Sequence, residues 1–243
     1  MMFDPQIIYE YLPISLNSPT EVEYYDTLAS AYEINREYEN HQFAYISYHM
    51  LFMSFIYTKI WQYREAYPDK FKHVLIGFND KDEKEIRADT SLFSLSRINE
   101  AQSAKLLRLL EIEDCDVGAV KERIKKRNEI AHANGNVYFR SQENLDEEIR
   151  KIVACISLIQ QKATETVYEI YSDFLLSSRK KDHREYFVDE EQINELLIKK
   201  WQFSKADIYQ ALKFDITKHR SEKGYMNIEQ LHRVLKEIAG KFK

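Results

Sequence analysis

The sequence predicts an all-α protein, and three observations support that prediction. Glycine and proline are scarce, at 5 and 4 of 243 residues, whereas all-β domains need many special turns. Helix-capping signals recur along the chain, and the apolar residues between them follow helical spacing. Hydrophobic residues make up 44% of the chain, which is enough for a sizeable core. We therefore expect an antiparallel bundle of four to five helices with a small helical C-terminal module.

Capping and apolar spacing predict the first two helices. Thr20 followed by Glu23 has capping-box spacing, which predicts a helix that continues to about Asn40. Apolar spacing resumes and continues over residues 42–67, and Pro68 ends it because the residue before a proline is pushed out of the helical region.

The most apolar stretch, residues 43–60, is too polar and too interrupted to cross a membrane, so we interpret it as a buried helix. The first ten residues lack the basic start of a secretory signal. The two cysteines, Cys115 and Cys155, indicate a reducing compartment without a disulfide framework. These features predict a cytoplasmic protein without membrane contact.

The middle of the chain is less regular. Residues 70–85 are ambiguous, and the run NDKDEK at 79–84 is typical of a solvated loop. Apolar spacing predicts a third helix over 90–110. The acidic residues at 114–116 indicate the start of a fourth helix, which we expect to continue to Asn134 with Gly135 as its C-terminal cap.

The last predicted long helix begins after Asn144, with Glu147 at capping-box spacing, and continues to about Ser178. The charged run RKKDHR at 179–184 is interpreted as a hinge. We therefore divide the chain into a bundle at 1–180 and a C-terminal module at 181–243. Three shorter helices are predicted in the module, with starts near Asp189, Ser204 and Asn227.

The stretch KERIKKRNEIAHANG, residues 121–135, carries the most chemistry. On a helical wheel, Asn128 falls inside an apolar stripe, with Arg127 on one side and His132 on the other. A polar residue in such a stripe costs free energy unless it finds a hydrogen bond, so this break in the pattern indicates a functional site. Asn128 and His132 are four residues apart, so we expect their side chains to touch.

This trio of side chains suits the cleavage of RNA, which carries its own nucleophile in the 2′-hydroxyl group. Histidine titrates near neutral pH and can move a proton, and arginine offers a fork of donors that matches phosphate. Neither role needs a metal, and no cofactor is predicted. A basic run could hold the neighbouring phosphates: Lys121, Arg123, Lys125 and Lys126.

The motif resembles that of the HEPN superfamily, in which an arginine, commonly followed by asparagine, precedes a histidine late in a helix of a four- or five-helix bundle. The resemblance implies a metal-independent endoribonuclease, a toxin or an antiviral effector, in which 2′-hydroxyl attack cuts RNA. Arg127 would bind phosphate, His132 would transfer the proton and Asn128 would orient the substrate. The resemblance also implies a homodimer with one composite cleft, and a neutralising protein partner is possible.

One position departs from that family. Some members have a tyrosine two residues after the histidine, where a partner enzyme modifies them, but this chain has Asn134 there. Neutralisation by that route is therefore not expected.

Other interpretations stay open. Arg127 and His132 could be surface residues that favour the helix C-terminus, and the net charge of −5 favours a catalytically silent adaptor that binds protein or RNA. The basic stretch 199–220 could make the C-terminal module an adaptor. His41 and His49 lie in or beside the aromatic helix and are predicted to be core histidines rather than metal ligands. No cysteine–histidine pair has zinc spacing.

Overall fold

The computed structural model describes residues 4–88 and 91–242, and no β-strand occurs within them. A single bridge between Pro13 and Ser204 is the only strand-like pairing in those ranges. The all-α prediction is therefore confirmed. None of the described helices is long and apolar enough to cross a membrane.

The chain forms two compact units. The first comprises the residues up to Tyr9 and Ser18–Lys162, and the second comprises Glu10–Asn17 and the residues from Ala163 onward. The first unit contains α1 Pro19–Glu37, α2 His41–Ala66, α3 Pro68–Leu75, α4 Asp80–Ala88, α5 Glu100–Lys105, α6 Asp114–Ala131 and α7 Gln142–Lys162.

Helix α2 is the core of the first unit. Every residue from 51 to 63 is buried, including Lys59 at 1% exposure, and α2 packs against α1, α6 and α7. A helix that is apolar on all sides must be covered on all sides, which is why the long helices surround it. The prediction of a buried helix here is confirmed.

Helix α1 begins slightly earlier than its sequence predicts. Ser18 is the N-cap, and its Oγ accepts a hydrogen bond from the backbone N–H of Glu21 at 3.2 Å. Pro19 takes the first helical position, where its missing N–H costs nothing. The predicted capping box at Thr20 and Glu23 is therefore wrong, because both residues lie inside the helix.

The predicted loop at 79–84 is wrong, because α4 begins at Asp80. The side chain of Asn79 accepts a hydrogen bond from the backbone N–H of Asp82 at 3.0 Å, and three acidic residues in the first turn favour the positive end of the helix dipole.

The predicted helix over 90–110 is wrong as a single element, and Thr90 lies outside the described residues. The chain instead forms a 3₁₀ turn at Leu92–Arg97, then α5, then a second 3₁₀ turn at Leu106–Leu110. Asn99 separates the first turn from α5, because its side chain accepts a hydrogen bond from the backbone N–H of Ala101 at 2.8 Å. This break places Glu100 at the start of a new helix.

Helix α6 begins at Asp114, within the predicted start, but it ends at Ala131 rather than at Asn134. His132 is already outside the helix, with φ −85° and ψ 142°. Gly135 has a φ of +77°, as predicted for a left-handed residue, but it lies in the loop beyond the helix end.

The second unit contains α8 Thr164–Ser178, α9 Asp189–Ile193 with a π-helical continuation Asn194–Lys199, α10 Lys205–Ala211 and α11 Tyr225–Gly240. The predicted single helix over 144–178 is wrong, since Ala163 interrupts it with a ψ of −3°. Helix α8 packs against α10 and α11. The boundary predicted after residue 180 thus lies within this unit.

Candidate functional site

Helix α6 places the predicted site residues, but not as the helical wheel predicts. Val117, Val120 and Ile124 are buried, as expected, whereas Asn128 is exposed. The expectation that Asn128 lies in the apolar stripe is therefore wrong. In the last turn the side that faces the core carries Arg127 and Ile130, because α5 packs against α6 there.

Arg127 forms an ion pair with Glu100 at the start of α5, through Nη2 and Oε2. Each of these two side chains is 25% exposed, so the pair lies at the edge of the core rather than inside it. The Nε of Arg127 is buried and has no hydrogen-bond partner among the described residues. Glu100 therefore fixes the guanidinium, while a quarter of the Arg127 side chain remains accessible.

His49 of α2 completes a buried polar cluster behind this pair. Its side chain is fully buried, and its Nε2 lies 3.5 Å from Oε2 of Glu100. Its Nδ1 has no hydrogen-bond partner within the described part of the chain. We name Arg127, Glu100 and His49 the core-edge cluster.

The charges of the core-edge cluster follow from burial and from Arg127. Burial lowers the pKa of His49, and the nearby Glu100 only partly offsets that effect, so the imidazole is neutral at neutral pH. Burial would raise the pKa of Glu100, but polar contacts with His49 and Arg127 outweigh burial and bring it to about 2. Glu100 is therefore ionised, and Arg127 is its permanent counter-charge.

The four residues of the predicted basic run differ in their surroundings. Arg123 pairs with Glu148 of α7, with 2.6 Å between Nη1 and Oε2, and both side chains are 17% exposed. Lys126 lies over the ring of Tyr138, with its Nζ 5.0 Å from the centroid. Lys121 is half-buried and Lys125 is exposed.

His132 is the exposed C-cap of α6, and its backbone N–H donates to the carbonyl oxygen of Asn128 at 3.2 Å. Because its backbone is extended, its side chain does not follow the helical spacing that would bring it against the Asn128 side chain. No hydrogen bond or ion pair joins Arg127 to His132 in the described structure. Both residues nevertheless lie at the same end of one helix.

The loop after His132 is ordered by its own polar contacts. The side-chain amide of Asn134 donates to the Glu129 carbonyl oxygen at 2.8 Å and to the Tyr138 hydroxyl oxygen at 2.7 Å. The backbone N–H of Tyr138 donates to Oε1 of Gln42 at 2.9 Å. The loop, which leads to α7, is therefore held by hydrogen bonds to both the end of α6 and the start of α2.

Sequence reasoning missed Glu100, which binds the predicted catalytic arginine. No local pattern joins residue 100 to residue 127, so their pairing arises only from packing. His49 is the buried core histidine that the sequence predicts, but its contact with Glu100 was not predicted. His41 is also buried, at 7% exposure.

No group of three or more histidine, cysteine, aspartate or glutamate side chains is arranged for a metal ion in the described ranges. Comparison of the chain with family models, with curated proteins and with solved structures gave no match.

Proposed function

We propose that the protein is a metal-independent endoribonuclease with a HEPN-like helical bundle, and that it acts as a toxin or an antiviral effector in the cytoplasm. One observation supports this proposal above the others: Glu100 fixes the Arg127 guanidinium at the core edge, yet 25% of its side chain stays accessible at the helix end where His132 is exposed. Phosphate cleavage requires a fixed cation and a proton-transferring group that can reach the same phosphate, and both residues lie at the same end of α6.

The proposed reaction uses the nucleophile within RNA. The 2′-oxygen forms a bond to phosphorus while the bond from phosphorus to the 5′-oxygen breaks, which yields a 2′,3′-cyclic phosphate and a 5′-hydroxyl end. One His132 accepts the 2′-hydroxyl proton, and the His132 of a second copy donates a proton to the leaving oxygen. Arg127 stabilises the charge that develops on the phosphorane-like centre. Asn128, which is exposed, orients the substrate.

A homodimer would bring two copies of this helix end into one cleft. Phe43 and Val137 are 63% and 64% exposed, and they flank the contact between Gln42 and Tyr138. Exposed apolar side chains beside the loop that begins at His132 favour association at that face. Lys125 and Lys121 remain available for RNA phosphates, whereas Arg123 serves Glu148.

Incubation of the purified protein with total RNA in EDTA tests the proposal. We expect cleavage with cyclic phosphate ends, reduced about 10²–10⁴-fold in Arg127→Ala and in His132→Ala. Arg140→Ala and His183→Ala are the matched controls, because both residues are exposed and lie outside the motif. Equal cutting by all four variants would remove this site from the mechanism.

A second candidate function is a catalytically silent module that binds RNA or a regulatory protein. The observation that favours it is charge compensation, because Glu100 and Glu148 pair with the two arginines that would otherwise meet phosphate. This candidate predicts intact RNA, no toxicity on expression, and weak binding of a fluorescent single-stranded RNA that falls steeply with salt. Cleavage that depends on His132 would exclude it.

A further inference from the structure

The first unit contains a cavity of about 380 Å³ between α1, α2, the Leu92–Arg97 turn and the start of α5. Its volume lies within the usual range for sites that bind small molecules. It lies next to the core-edge cluster, since Glu100 both lines the cavity and pairs with Arg127.

Aromatic and methionine side chains form most of the cavity wall. Tyr24 and Phe93 meet edge to face, with 5.1 Å between their ring centroids, and Tyr57 and Met53 line the side formed by α2. Tyr57 and Met53 are 5% and 3% exposed, so packing fixes their positions. Aromatic faces attract cations, and thioethers adapt to an apolar ligand body.

The cavity also has an incompletely satisfied carboxylate. Oε1 of Glu21 accepts a hydrogen bond from the hydroxyl of Ser91 at 2.8 Å. Oε2 of the same side chain is buried and has no hydrogen-bond partner among the described residues. The Glu21 carboxylate lines the cavity, and no basic side chain among the described residues forms an ion pair with it, so a cationic ligand would supply the missing counter-charge. Glu100, the second carboxylate of the wall, already has Arg127.

We propose that this cavity binds a small amphipathic primary amine, whose ammonium group donates to Glu21 while its apolar body fills the space between Tyr24, Tyr57 and Phe93. The ammonium supplies the counter-charge that the Glu21 carboxylate lacks. A neutral ligand of the same shape would leave that carboxylate unpaired, and an anion would meet two carboxylates. The ligand class therefore follows from the wall chemistry and does not depend on nuclease activity.

Calorimetric titration of the full-length protein with 2-phenylethylamine tests the proposal, with 2-phenylethanol as the neutral isostere and 3-phenylpropionate as the anion. We expect the amine to bind with a dissociation constant between about 10 µM and 1 mM. The alcohol should bind at least about tenfold more weakly, since the charge pair is lost, and the anion should not bind. Equal binding of the amine and the alcohol would overturn the proposal. So would the absence of amine binding at a ligand concentration of about 10 mM, which is tenfold above the upper end of the expected dissociation constants.

Variants locate the site. Glu21→Gln should weaken amine binding at least about tenfold, which is the cost of losing one charge-assisted contact. Glu23→Gln is the matched control, because Glu23 lies on the same helix, is exposed and does not line this cavity. Amine binding that is unchanged in Glu21→Gln would contradict the assignment. If that variant fails to fold, the comparison of the three ligands on the unaltered protein still tests the proposal.

Discussion

At the scale of single residues, the core-edge cluster shows that the position of Arg127 depends on Glu100, a carboxylate that is distant in sequence but in contact in the fold. Arg127 reaches the edge of the core because Glu100 pairs with it, and His49 lies behind Glu100 as a neutral imidazole. The arginine is therefore both part of the proposed site and part of the packing. Removal of the Arg127 side chain therefore affects both RNA cleavage and fold stability. Changing its partner, Glu100, separates the contribution of the ion pair to stability.

Glu100→Gln should destabilise the fold in a pH-dependent way. The folded pKa of Glu100 is about 2, below its ordinary value of 4.5, so its ionised form stabilises the fold above pH 4.5. That contribution is lost as the pH falls from 4.5 towards 2. We expect a loss of about 1–2 kcal/mol at pH 7, the size typical of a partly exposed charge pair whose other member stays behind.

Urea unfolding at pH 7, 4 and 3 measures this effect, and the difference between the two proteins should shrink at each lower pH. Glu122→Gln, on the exposed side of α6, is the control and should change stability little at any pH. A Glu100→Gln deficit that stays constant from pH 7 to pH 3 would argue against an ionised Glu100.

Two glycines with positive φ offer a second residue-scale test. A Cβ on Gly224, where φ is +100°, would lie 2.8 Å from the carbonyl oxygen of Arg179, whereas a Cβ on Gly135, where φ is +77°, meets nothing within 4 Å. We expect Gly135→Ala to cost about 1–2 kcal/mol from backbone strain alone. Gly224→Ala should cost about 2–5 kcal/mol, because the clash adds to the strain. Thermal denaturation of both variants compares them, and equal losses would show that the close approach to Arg179 is absent.

At the scale of elements, caps decide where helices begin. Ser204 and Asp207 form a complete capping box at α10. The backbone N–H of Asp207 donates to Oγ of Ser204 at 3.1 Å, and the backbone N–H of Ser204 donates to Oδ2 of Asp207 at 3.0 Å. Both residues are fully buried, so neither group has water as an alternative partner.

Asp207→Ala should therefore destabilise the fold by about 1–3 kcal/mol, because it leaves a buried backbone donor without an acceptor. Chemical denaturation gives the value. Asp26→Ala, exposed on α1, is the comparison variant and should stay within about 0.5 kcal/mol of the parent protein. A loss no larger than that of the comparison variant would mean that the box does not stabilise α10.

Gly118 weakens α6 at a point where no neighbour requires a glycine. A Cβ there would meet nothing within 4 Å, and the residue lies in the helix interior. Gly118→Ala should stabilise the protein by about 0.5–1 kcal/mol, since alanine loses less backbone freedom on folding. A higher melting temperature with unchanged RNA cleavage is the expected result. A lower melting temperature would show that α6 has a neighbour close to Gly118.

The elements also show where sequence patterns succeed and fail. The start at Ser204 was predictable, because a local capping box determines it. Helix α9 also begins at the predicted Asp189, although no side chain caps it. The break at Asn99 and the helix at Asp80 were not predicted from apolar spacing, because side-chain caps there outweigh the periodic pattern. The interruption at Ala163 has no local signal that the sequence reveals.

At the scale of the whole molecule, the proposed composite cleft requires two copies of the chain. We expect light scattering after size-exclusion chromatography to give twice the chain mass. Val137→Glu should convert that dimer to a monomer and reduce RNA cleavage, because it places a charge on the apolar face beside the His132 loop. Val188→Glu is the matched control, since Val188 is also exposed, at 55%, but lies in the second unit. RNA cleavage by a monomeric parent protein would contradict the composite cleft.

The sequence by itself determined the helical class, the buried character of α2 and the motif at the end of α6. Composition, capping residues and apolar spacing are local, so a single chain reveals them. The tertiary structure alone decided that Arg127 and not Asn128 faces the core, that Glu100 fixes it, and that Glu21 and Tyr57 share a cavity. Those outcomes depend on which side of a helix its neighbours cover, and residues distant in sequence determine that side.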